Sequence, residues 1–540
     1  MRARARRGLL AAITAASVLA LPVVVPLPAG AEADLGMSRS AGTPATEPGL
    51  KASGTAVDVA AIKRHLEQLQ KIADANGGTR ASGTPGHEAS VTYVADALRS
   101  AGYQVTLQEF EFPFFRDITE PMLKRVSPEA KTYVRKVDFR TMTYSGSGNV
   151  TAPVQGVDLV LPPSPRPSST SGCEASDFAG FISGNIALIQ RGTCPFQVKA
   201  ELAQAAGASG VILFNEGQPD LLPDDRRGLM GGTLGAPTTN IPVVATTFAA
   251  GEELATAGTT VTLVTNTEGD PHRRTRNVLA ESRWGDPDKI VMLGAHLDSV
   301  ADGPGVNDNG SGTAGILETA LTMRDMRTRN RLRFAFWGAE ELGLLGSKHY
   351  VAGLPAAEKA KIKMYLNFDM IASPNHIIGI YDGDNSDAIG APAGPPGSDK
   401  IEKFFEDHFT RSDLPYVGTD FTGRSDYGPF IGAGIPAGGL FTGAEGLKTA
   451  AEAAAFGGQA GVAYDVCYHK ACDTSANIND RALAANAGAI TAAALAYARS
   501  PKLPGGDAVT VSAPVPPVLS GLGGGAAGLG SDHDHTDVSR

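Results

Sequence analysis

Four polar clusters mark the segment from Lys289 to Met370: Ala295-His296-Leu297-Asp298-Ser299, Gly305-Val306-Asn307-Asp308-Asn309-Gly310, Ala339-Glu340-Glu341-Leu342 and Asn367-Phe368-Asp369-Met370. Three of them directly follow apolar runs at 290–293, 332–337 and 364–368. These runs are rich in β-branched and aromatic residues, and helical stretches such as 314–326 separate them, which is typical of βαβ units. We therefore predict an α/β fold with a mostly parallel central sheet flanked by helices.

The order of strands and polar clusters also predicts where a site lies. In an open α/β sheet the ligand site lies beyond the carboxyl ends of the strands, so residues that follow different strands converge there. His296, Asp308, the glutamates at 340–341 and Asp369 would then meet at one edge of the sheet. This mixture of imidazole and carboxylates predicts a two-metal hydrolytic centre.

His296 and Asp308 are the first two candidate ligands. Asp298, two positions after His296, is expected to accept a hydrogen bond from the other ring nitrogen, as the partners of metal-bound histidines usually do. Asp308 alone would more often be a helix cap or turn residue, because a helix is expected to begin near Thr313. Its position twelve residues after His296 favours a ligand instead.

The acidic residues after the next two strands are expected to act as metal ligands and as a general base. Glu340 and Glu341 would point in different directions, which suits one ligand and one general base; the alternative is a pair of surface acids at a helix start. Asp369 ends a strand that should be fully buried, where a carboxylate is costly unless it is paired or binds a cation.

The amino-terminal residues are typical of an exported protein. Residues 1–33 combine a basic start, an apolar run and a small-residue cleavage site, and they predict a signal peptide followed by a flexible leader at 34–55. A retained membrane anchor is the alternative, but Pro22 and Pro26 interrupt a run already short for a bilayer span. We expect a secreted, extracellular protein that is not bound to a membrane.

Cysteine usage agrees with export. Four cysteines form two local pairs, Cys173 with Cys194 and Cys467 with Cys472, so two disulfides are expected. A zinc–thiolate site is the competing interpretation, but the pairs lie far apart in sequence. The net charge of −10 and the lack of a basic patch argue against a nucleic-acid partner.

Between residues 144 and 270 the sequence changes to short strand candidates broken by Gly and Pro. The segments 172–178, 185–196 and 205–215 resemble the protease-associated domain, which predicts a mainly-β, non-catalytic insert. The α/β domain would then be split into 56–143 and 271–500, with a disordered tail at 501–540. The glycine-rich loop at 78–86 lacks a phosphate-loop ending, so we predict a structural turn there.

The four clusters together resemble metallopeptidase family M28, the zinc aminopeptidases of the streptomycete and vacuolar aminopeptidase Y type. The resemblance extends to Val466-Cys467-Tyr468-His469-Lys470-Ala471-Cys472-Asp473 and to Gly423-Arg424-Ser425-Asp426-Tyr427-Gly428-Pro429-Phe430. It implies that His469 is a ligand, that the Tyr468 hydroxyl stabilises the tetrahedral intermediate and that Arg424 reaches the substrate. Met370, which follows a ligand, is expected to line the pocket.

The resemblance also implies a mechanism with two Zn²⁺ per chain. His296, Asp308 and Asp369 would hold one ion, and Asp308, Glu341 and His469 the other, although cobalt or manganese could occupy the same site. Glu340 would act as general base, and substrates would be peptides with a free N-terminus. We expect a monomer. Calcium near Asn479 and Asp480 is a further possibility, with surface polar residues as the preferred interpretation.

Two other functions compete with an aminopeptidase. A carboxypeptidase or a glutaminyl cyclase could share the scaffold, because a single arginine such as Arg424 can meet either a carboxylate or a carbonyl group. A non-catalytic binding protein of this fold would have lost its metal ligands. Since all five ligands and the base are present, this last interpretation is disfavoured.

Overall fold

A computed structural model describes residues 58–218 and 226–506. The predicted signal peptide and all of the predicted leader lie outside the described residues, as does the predicted tail from residue 507 onward. At its start the tail is described, and the Gly505 N–H donates to the Lys363 carbonyl oxygen over 2.9 Å.

The described helices and strands alternate along most of the chain. The helices are α1 Val59–Ala75, α2 Pro85–Ser100, α3 Phe196–Ala205, α4 Phe248–Leu254, α5 Gly312–Met323, α6 Leu345–Gly353, α7 Ala356–Lys359, α8 Ser398–Arg411, α9 Tyr427–Gly432, α10 Ala450–Phe456 and α11 Asp480–Arg499. The strands are β1 Gln104–Asp117, β2 Met122–Ser127, β3 Lys131–Thr132, β4 Phe139–Thr141, β5 Gly148–Val157, β6 Ile186–Gln190, β7 Gly210–Phe214, β8 Val243–Thr246, β9 Thr260–Thr265, β10 Thr267–Glu281, β11 Asp286–His296, β12 Asn330–Trp337, β13 Ile362–Phe368, β14 Gly379–Tyr381, β15 Val417–Thr419 and β16 Ala437–Phe441. No described helix is both long and apolar enough to cross a membrane.

The first sheet contains the strands predicted from residues 290–368. Its order is β1-β10-β12-β11-β13-β16-β14-β15, and β11 runs parallel to both β12 and β13, as β13 does to β16. Within this sheet, the antiparallel pairs of described strands are β1 with β10, β10 with β12 and β14 with β16. The predicted α/β fold with a mostly parallel central sheet is therefore confirmed.

Both faces of the central strands are covered by helices, which explains their continuous apolar runs. On one face, Val291, Leu293 and Ala295 of β11 pack in a core with residues of α1, α2, α5, α8 and α11. On the other face, Ile290 and Met292 pack with residues of α6 and α9. The two cores hold the strands rigidly, so the residues that follow them have fixed positions.

The second sheet has the order β3-β2-β9-β5-β6-β7-β8-β4. Its strands β5 to β8 are parallel neighbours, with α3 and α4 packed beside them. The sheet begins at Met122, within the stretch that the sequence assigned to the first part of the peptidase domain. The sequence of β2 places Lys124 next to Arg125 and lacks a regular apolar–polar alternation, and β3 has only two residues, so neither gives a clear strand signal.

Both predicted disulfides are present. Cys173 and Cys194 join the two ends of the segment that precedes α3, with their Cα atoms 5.8 Å apart. Cys467 and Cys472 close a short loop near the first sheet, with a Cα separation of 5.2 Å. No free cysteine occurs in the described part of the chain, so a zinc–thiolate site does not form there.

Candidate active site

The predicted site residues follow the carboxyl ends of three parallel strands. His296 is the last residue of β11, Glu340 comes three residues after β12, and Asp369 comes directly after β13. Asp308 lies in an irregular turn, Val306–Ser311, that leads into α5. The sheet therefore brings together side chains that are distant in sequence, as expected.

His296 lies between two carboxylates. Its Nε2 atom is 3.2 Å from Asp308 Oδ1 and 3.3 Å from Asp369 Oδ1. All three residues are buried, with at most 8% of each residue exposed. The first predicted ligand group, His296, Asp308 and Asp369, is thus assembled around one imidazole nitrogen.

His469 reaches the same centre from the loop closed by Cys467 and Cys472. Its Nε2 atom lies 2.9 Å from Glu341 Oε2 and 3.1 Å from Asp308 Oδ2. The two oxygens of Asp308 therefore face different histidines, His296 and His469. The structure brings together the second predicted group, and Asp308 lies between the two groups.

This donor set fits divalent metal ions. Asp308 Oδ2, Glu341 Oε1 and Asp369 Oδ1 are buried and have no hydrogen-bond donor in the described structure. Buried carboxylate oxygens without donors are costly unless a cation neutralises them. Candidate ligand atoms of His296, Asp308 and Glu341 lie within 4.8 Å of one another, as do those of His296, Glu340 and Asp369.

At the centre, the histidines and carboxylates each stabilise the charged form of the other, and this shifts their pKa values. Burial alone would lower the pKa of His469, but the Glu341 and Asp308 carboxylates raise it to about 11. Burial alone would raise the pKa of Asp308, but the neighbouring imidazoles of His296 and His469 lower it. In the metal-free protein the two imidazoles therefore carry protons that a metal ion must displace.

Glu340 is buried beside the ligands, and its Oε2 atom lies 3.8 Å from His296 Nε2. Burial raises the pKa of Glu340 well above its ordinary value, and the neighbouring carboxylates of Asp426 and Asp369 add to this effect, whereas His296 opposes it. A raised pKa makes a carboxylate a stronger proton acceptor, which suits a general base at neutral pH.

Asp298 supports the centre differently from the expectation. The Nδ1 atom of His296 lies 3.1 Å from the backbone carbonyl oxygen of Asp298, and the carboxylate is farther away, at 3.7 Å for Oδ1. That carboxylate oxygen accepts a 3.3 Å hydrogen bond from the Glu340 N–H instead. Asp298 therefore orients the His296 ring through its backbone carbonyl oxygen and the Glu340 backbone through its side chain.

Three non-glycine residues at the site have left-handed backbone dihedrals. Ala339, Met370 and His469 have φ angles of +52°, +53° and +55°. Each is a predicted ligand or is adjacent to the predicted base or to a predicted ligand, and such strained conformations cluster at functional sites because the surrounding structure enforces them. Sequence patterns give no signal for this strain, since none of the three is glycine or asparagine.

Several supporting residues were not assigned a role from the sequence. The Ser425 hydroxyl donates to Asp369 Oδ2 over 2.6 Å, and Asn367 Nδ2 donates to Ser425 Oγ over 2.8 Å. Asp473 accepts hydrogen bonds from the Asn307 and Asp308 N–H groups at 2.8 and 3.0 Å. These contacts hold Asp369 and Asp308 in place, and only the tertiary structure brings their partners together.

A cavity of about 210 Å³ opens onto the centre. Arg424, Tyr468 and Met370, the three residues expected at the substrate, all line it. Arg424 Nη1 donates to Glu445 Oε1 over 2.9 Å, and the Tyr468 ring stacks on His469 with centroids 3.8 Å apart. The remaining lining includes the aromatic residues Tyr381, Tyr427, Phe441 and Tyr464.

The residues considered for calcium have other partners. Asn479 caps α11 by accepting hydrogen bonds from the Arg481 and Ala482 N–H groups. Asp480 forms a 2.9 Å ion pair with Lys63. Calcium near these two residues stays a prediction.

A separate acidic cluster contains Asp382, Asp384 and Glu402. Glu402 is 8% exposed and accepts a 2.8 Å hydrogen bond from the Gly383 N–H. Burial raises the pKa of Glu402 to about 7, with Asp382 and Asp384 adding to the shift. Because its pKa is higher in the folded than in the unfolded state, the stability it contributes is complete below about pH 4.5 and is lost as the pH rises through about 7.

We therefore expect the free energy of unfolding to fall less between pH 4.5 and 8 in Glu402→Gln than in wild type. The neutral amide oxygen can still accept from Gly383, and the difference should be about 1–3 kcal/mol at pH 8. Urea unfolding of wild type and variant at both pH values measures it. An identical decline in both proteins would contradict the assignment.

Comparison with known proteins agrees with this geometry. The model of peptidase family M28 matches residues 277–494, and that of the PA domain matches residues 154–254. An aminopeptidase of Pseudomonas aeruginosa (strain UCBPP-PA14) is 50% identical over 426 residues, which are 78% of this chain and 77% of the relative. A probable leucine aminopeptidase 2 of Aspergillus fumigatus is 41% identical over 428 residues, 78% of this chain and 79% of the relative.

Solved structures show the same architecture. The aminopeptidase from Aneurinibacillus sp. strain AM-1 is 28% identical, has a TM-score of 0.55, and is matched over 83% of this chain and 95% of that chain. A zinc aminopeptidase from Bacillus subtilis is 25% identical with a TM-score of 0.55, over 82% of this chain and 96% of that chain. The chain therefore belongs to peptidase family M28, as an aminopeptidase with an inserted PA domain.

Proposed function

We propose that this protein is an exported aminopeptidase that holds two zinc ions and removes N-terminal residues from peptides. The observation that carries the proposal is the meeting of two histidine nitrogens with donor-free carboxylate oxygens of Asp308, Glu341 and Asp369 at the mouth of a cavity. Imidazole and carboxylate ligands without thiolate suit zinc at a hydrolytic site. Export is supported by the basic and apolar start of residues 1–33 and by the disulfides.

His296, Asp308 and Asp369 would hold one ion, and Asp308, Glu341 and His469 the other. When bound, zinc ions supply Lewis acidity, which lowers the pKa of a water molecule and polarises a carbonyl group. Glu340 takes a proton from the attacking water and passes it to the leaving amine, since its carboxylate lies beside His296 and Asp369 and is assigned to neither proposed ligand set. Its burial excludes competing solvent from this transfer.

Tyr468 stabilises the negative charge that develops on the substrate carbonyl oxygen. Burial raises the pKa of Tyr468 well above its ordinary value, so the hydroxyl stays protonated and can donate a hydrogen bond. Arg424, held by Glu445, contacts a carbonyl group of the bound peptide. The amino group of the substrate lies near Glu340 and Asp369, whose carboxylates would attract its positive charge and so select the free amino end.

The aromatic and apolar lining favours a large apolar N-terminal residue. Met370, Tyr381, Tyr427 and Phe441 form this part of the cavity, and apolar side chains gain about 25 cal/mol for each Å² that they bury. The relative from Aspergillus fumigatus, named a probable leucine aminopeptidase, supports the same preference.

A panel of aminoacyl-anilides tests this activity and specificity. We expect leucyl-, methionyl- and phenylalanyl-anilides to be cleaved with kcat/KM roughly 10- to 100-fold above that of glycyl-anilide. N-acetylated counterparts should be inert, and a chelator should abolish cleavage. Cleavage of the acetylated substrates, or of peptides from their carboxyl ends alone, would contradict the proposal and favour a carboxypeptidase; release of cyclised N-terminal glutamine would favour a cyclase.

A further inference from the structure

Arg80 is a fully buried arginine in the glycine-rich segment 78–86, where a structural turn was predicted. No carboxylate forms an ion pair with it in the described structure. An isolated guanidinium ion is expensive to bury, so its position needs compensation from hydrogen bonds or from more distant charges. Arg80 has both, and both involve the metal centre.

The guanidinium group donates to three backbone carbonyl oxygens. Its Nε donates to Pro304 over 2.8 Å, its Nη2 to Gly305 over 2.6 Å, and its Nη1 to Leu297. These acceptors lie at both ends of the loop that joins His296 to Asp308. The planar fork of an arginine is the side chain that can hold three such acceptors at once.

Residues next to the guanidinium hold the middle of the same loop. The Arg80 N–H donates to Ser299 Oγ over 2.9 Å, and the Thr79 hydroxyl donates to the Val300 carbonyl oxygen over 2.8 Å. Gly305 has φ +60°, and a Cβ atom there would lie 2.3 Å from the Asp308 carbonyl oxygen and 2.5 Å from Ser299 Cβ. The loop is thus close-packed at the end that leads to Asp308.

Carboxylates of the centre offset part of the cost of burying the Arg80 charge. Burial lowers the pKa of Arg80 to about 10, and the charges of Asp298, Asp473, Asp308 and Glu341 keep it from falling further. The side chain therefore remains a cation at neutral pH, facing an acidic centre.

We propose that Arg80 is a positioning residue of the metal centre, which fixes the separation of His296 and Asp308 by holding the loop between them. This inference rests on the proposed zinc site, because it assigns these two residues as ligands. Arg80 touches neither the substrate nor the reacting atoms in this account. It acts through His296, which is one residue before Leu297, and through Asp308, which is three residues after Gly305.

Arg80→Lys tests the inference, because lysine keeps the charge but cannot reach all three carbonyl oxygens. We expect the zinc dissociation constant to rise roughly 10- to 100-fold, as for the loss of other partners that orient ligands. Competition with a chromophoric chelator measures it on metal-free protein refilled with zinc. The value of kcat should stay below that of wild type at saturating zinc, because the ligand separation has changed.

Arg125→Lys is the matched control. Arg125 is also buried and donates to a carbonyl oxygen, that of Glu129 at 2.8 Å, but it lies in the second sheet and pairs with Glu253. This variant should bind zinc like wild type. If Arg80→Lys lowers only the unfolding temperature of the metal-free protein and leaves zinc affinity and kcat at wild-type values, Arg80 is merely structural and the inference is wrong.

Thr79→Val covers the case in which Arg80→Lys does not fold. This isosteric change leaves Arg80 in place and removes the hydrogen bonds of the Thr79 hydroxyl with the Val300 carbonyl oxygen, Ser299 Oγ and the Ala81 N–H. We expect a several-fold weaker zinc affinity in a folded protein. Unchanged affinity would overturn the inference. A wild-type protein that binds no zinc would instead overturn the proposed function, so the two failures can be told apart.

Discussion

Glu340→Gln is expected to lower kcat by roughly 10²- to 10⁴-fold while the protein keeps its full zinc content. The amide is nearly the same size as the carboxylate but cannot accept the proton of the attacking water. Since Glu340 belongs to neither proposed ligand set, metal binding should survive the change. Steady-state kinetics with leucyl-anilide and elemental analysis of the same sample measure both quantities.

Glu358→Gln makes the same chemical change at a surface ion pair with Lys361, and it should leave kcat and zinc content unaltered. Two results for Glu340→Gln would count against the mechanism. Retention of wild-type kcat would remove Glu340 from proton transfer. Loss of a zinc ion would instead make Glu340 a ligand, as its grouping with His296 and Asp369 would permit.

His469→Ala should reduce bound zinc from two ions towards one per chain and lower activity by a comparably large factor. The change leaves Asp308 and Glu341 as the remaining donors of the second ion, and it removes the imidazole that lies within 3.1 Å of both. Two carboxylates alone bind zinc less well than a site with imidazole, because the imidazole nitrogen is a preferred zinc ligand.

His349→Ala is the matched control for this variant. His349 is exposed, stacks on Phe110 with ring centroids 5.1 Å apart and belongs to neither proposed ligand set. Zinc counted after gel filtration in metal-free buffer should stay at two for the control and for wild type. An unchanged count in His469→Ala would exclude His469 from the site.

The convergence of the proposed ligands could be predicted because two strong signals coincide in the sequence. Apolar runs at 290–293, 332–337 and 364–368 identify buried strands, and a buried sheet tolerates His296, Glu340 or Asp369 only where the strand has ended. The parallel arrangement then requires these strand ends to meet. His469 had no such signal, and its assignment came from family resemblance.

The residues that hold the ligands could not be predicted in the same way. Ser425 donates to Asp369 and Arg80 holds the loop before Asp308, yet neither lies in a periodic pattern or beside the residue it supports in sequence. The predicted turn at 78–86 is present up to residue 84, where α2 is about to begin, but its arginine gains a role only when distant backbone carbonyls surround it. Such roles depend on tertiary contacts that local patterns do not encode.

The hydrogen-bond partner of the His296 ring differs from the one predicted. A carboxylate two residues after His296 was expected to accept from the ring, whereas the carbonyl oxygen of Asp298 is closer and its side chain accepts from the Glu340 N–H. Spacing predicts that two groups are near each other, but the dihedral angles of the intervening residue decide which atom faces the ring.

Anomalous X-ray scattering from crystals of the zinc-loaded protein tests the two-metal centre most directly. Difference maps from data collected just above and just below the zinc absorption edge locate the ions independently of activity. We predict two peaks about 3.5–4 Å apart, one beside His296 and Asp369, the other beside His469 and Glu341, with Asp308 between them. A single peak, or peaks away from these five side chains, would contradict the account.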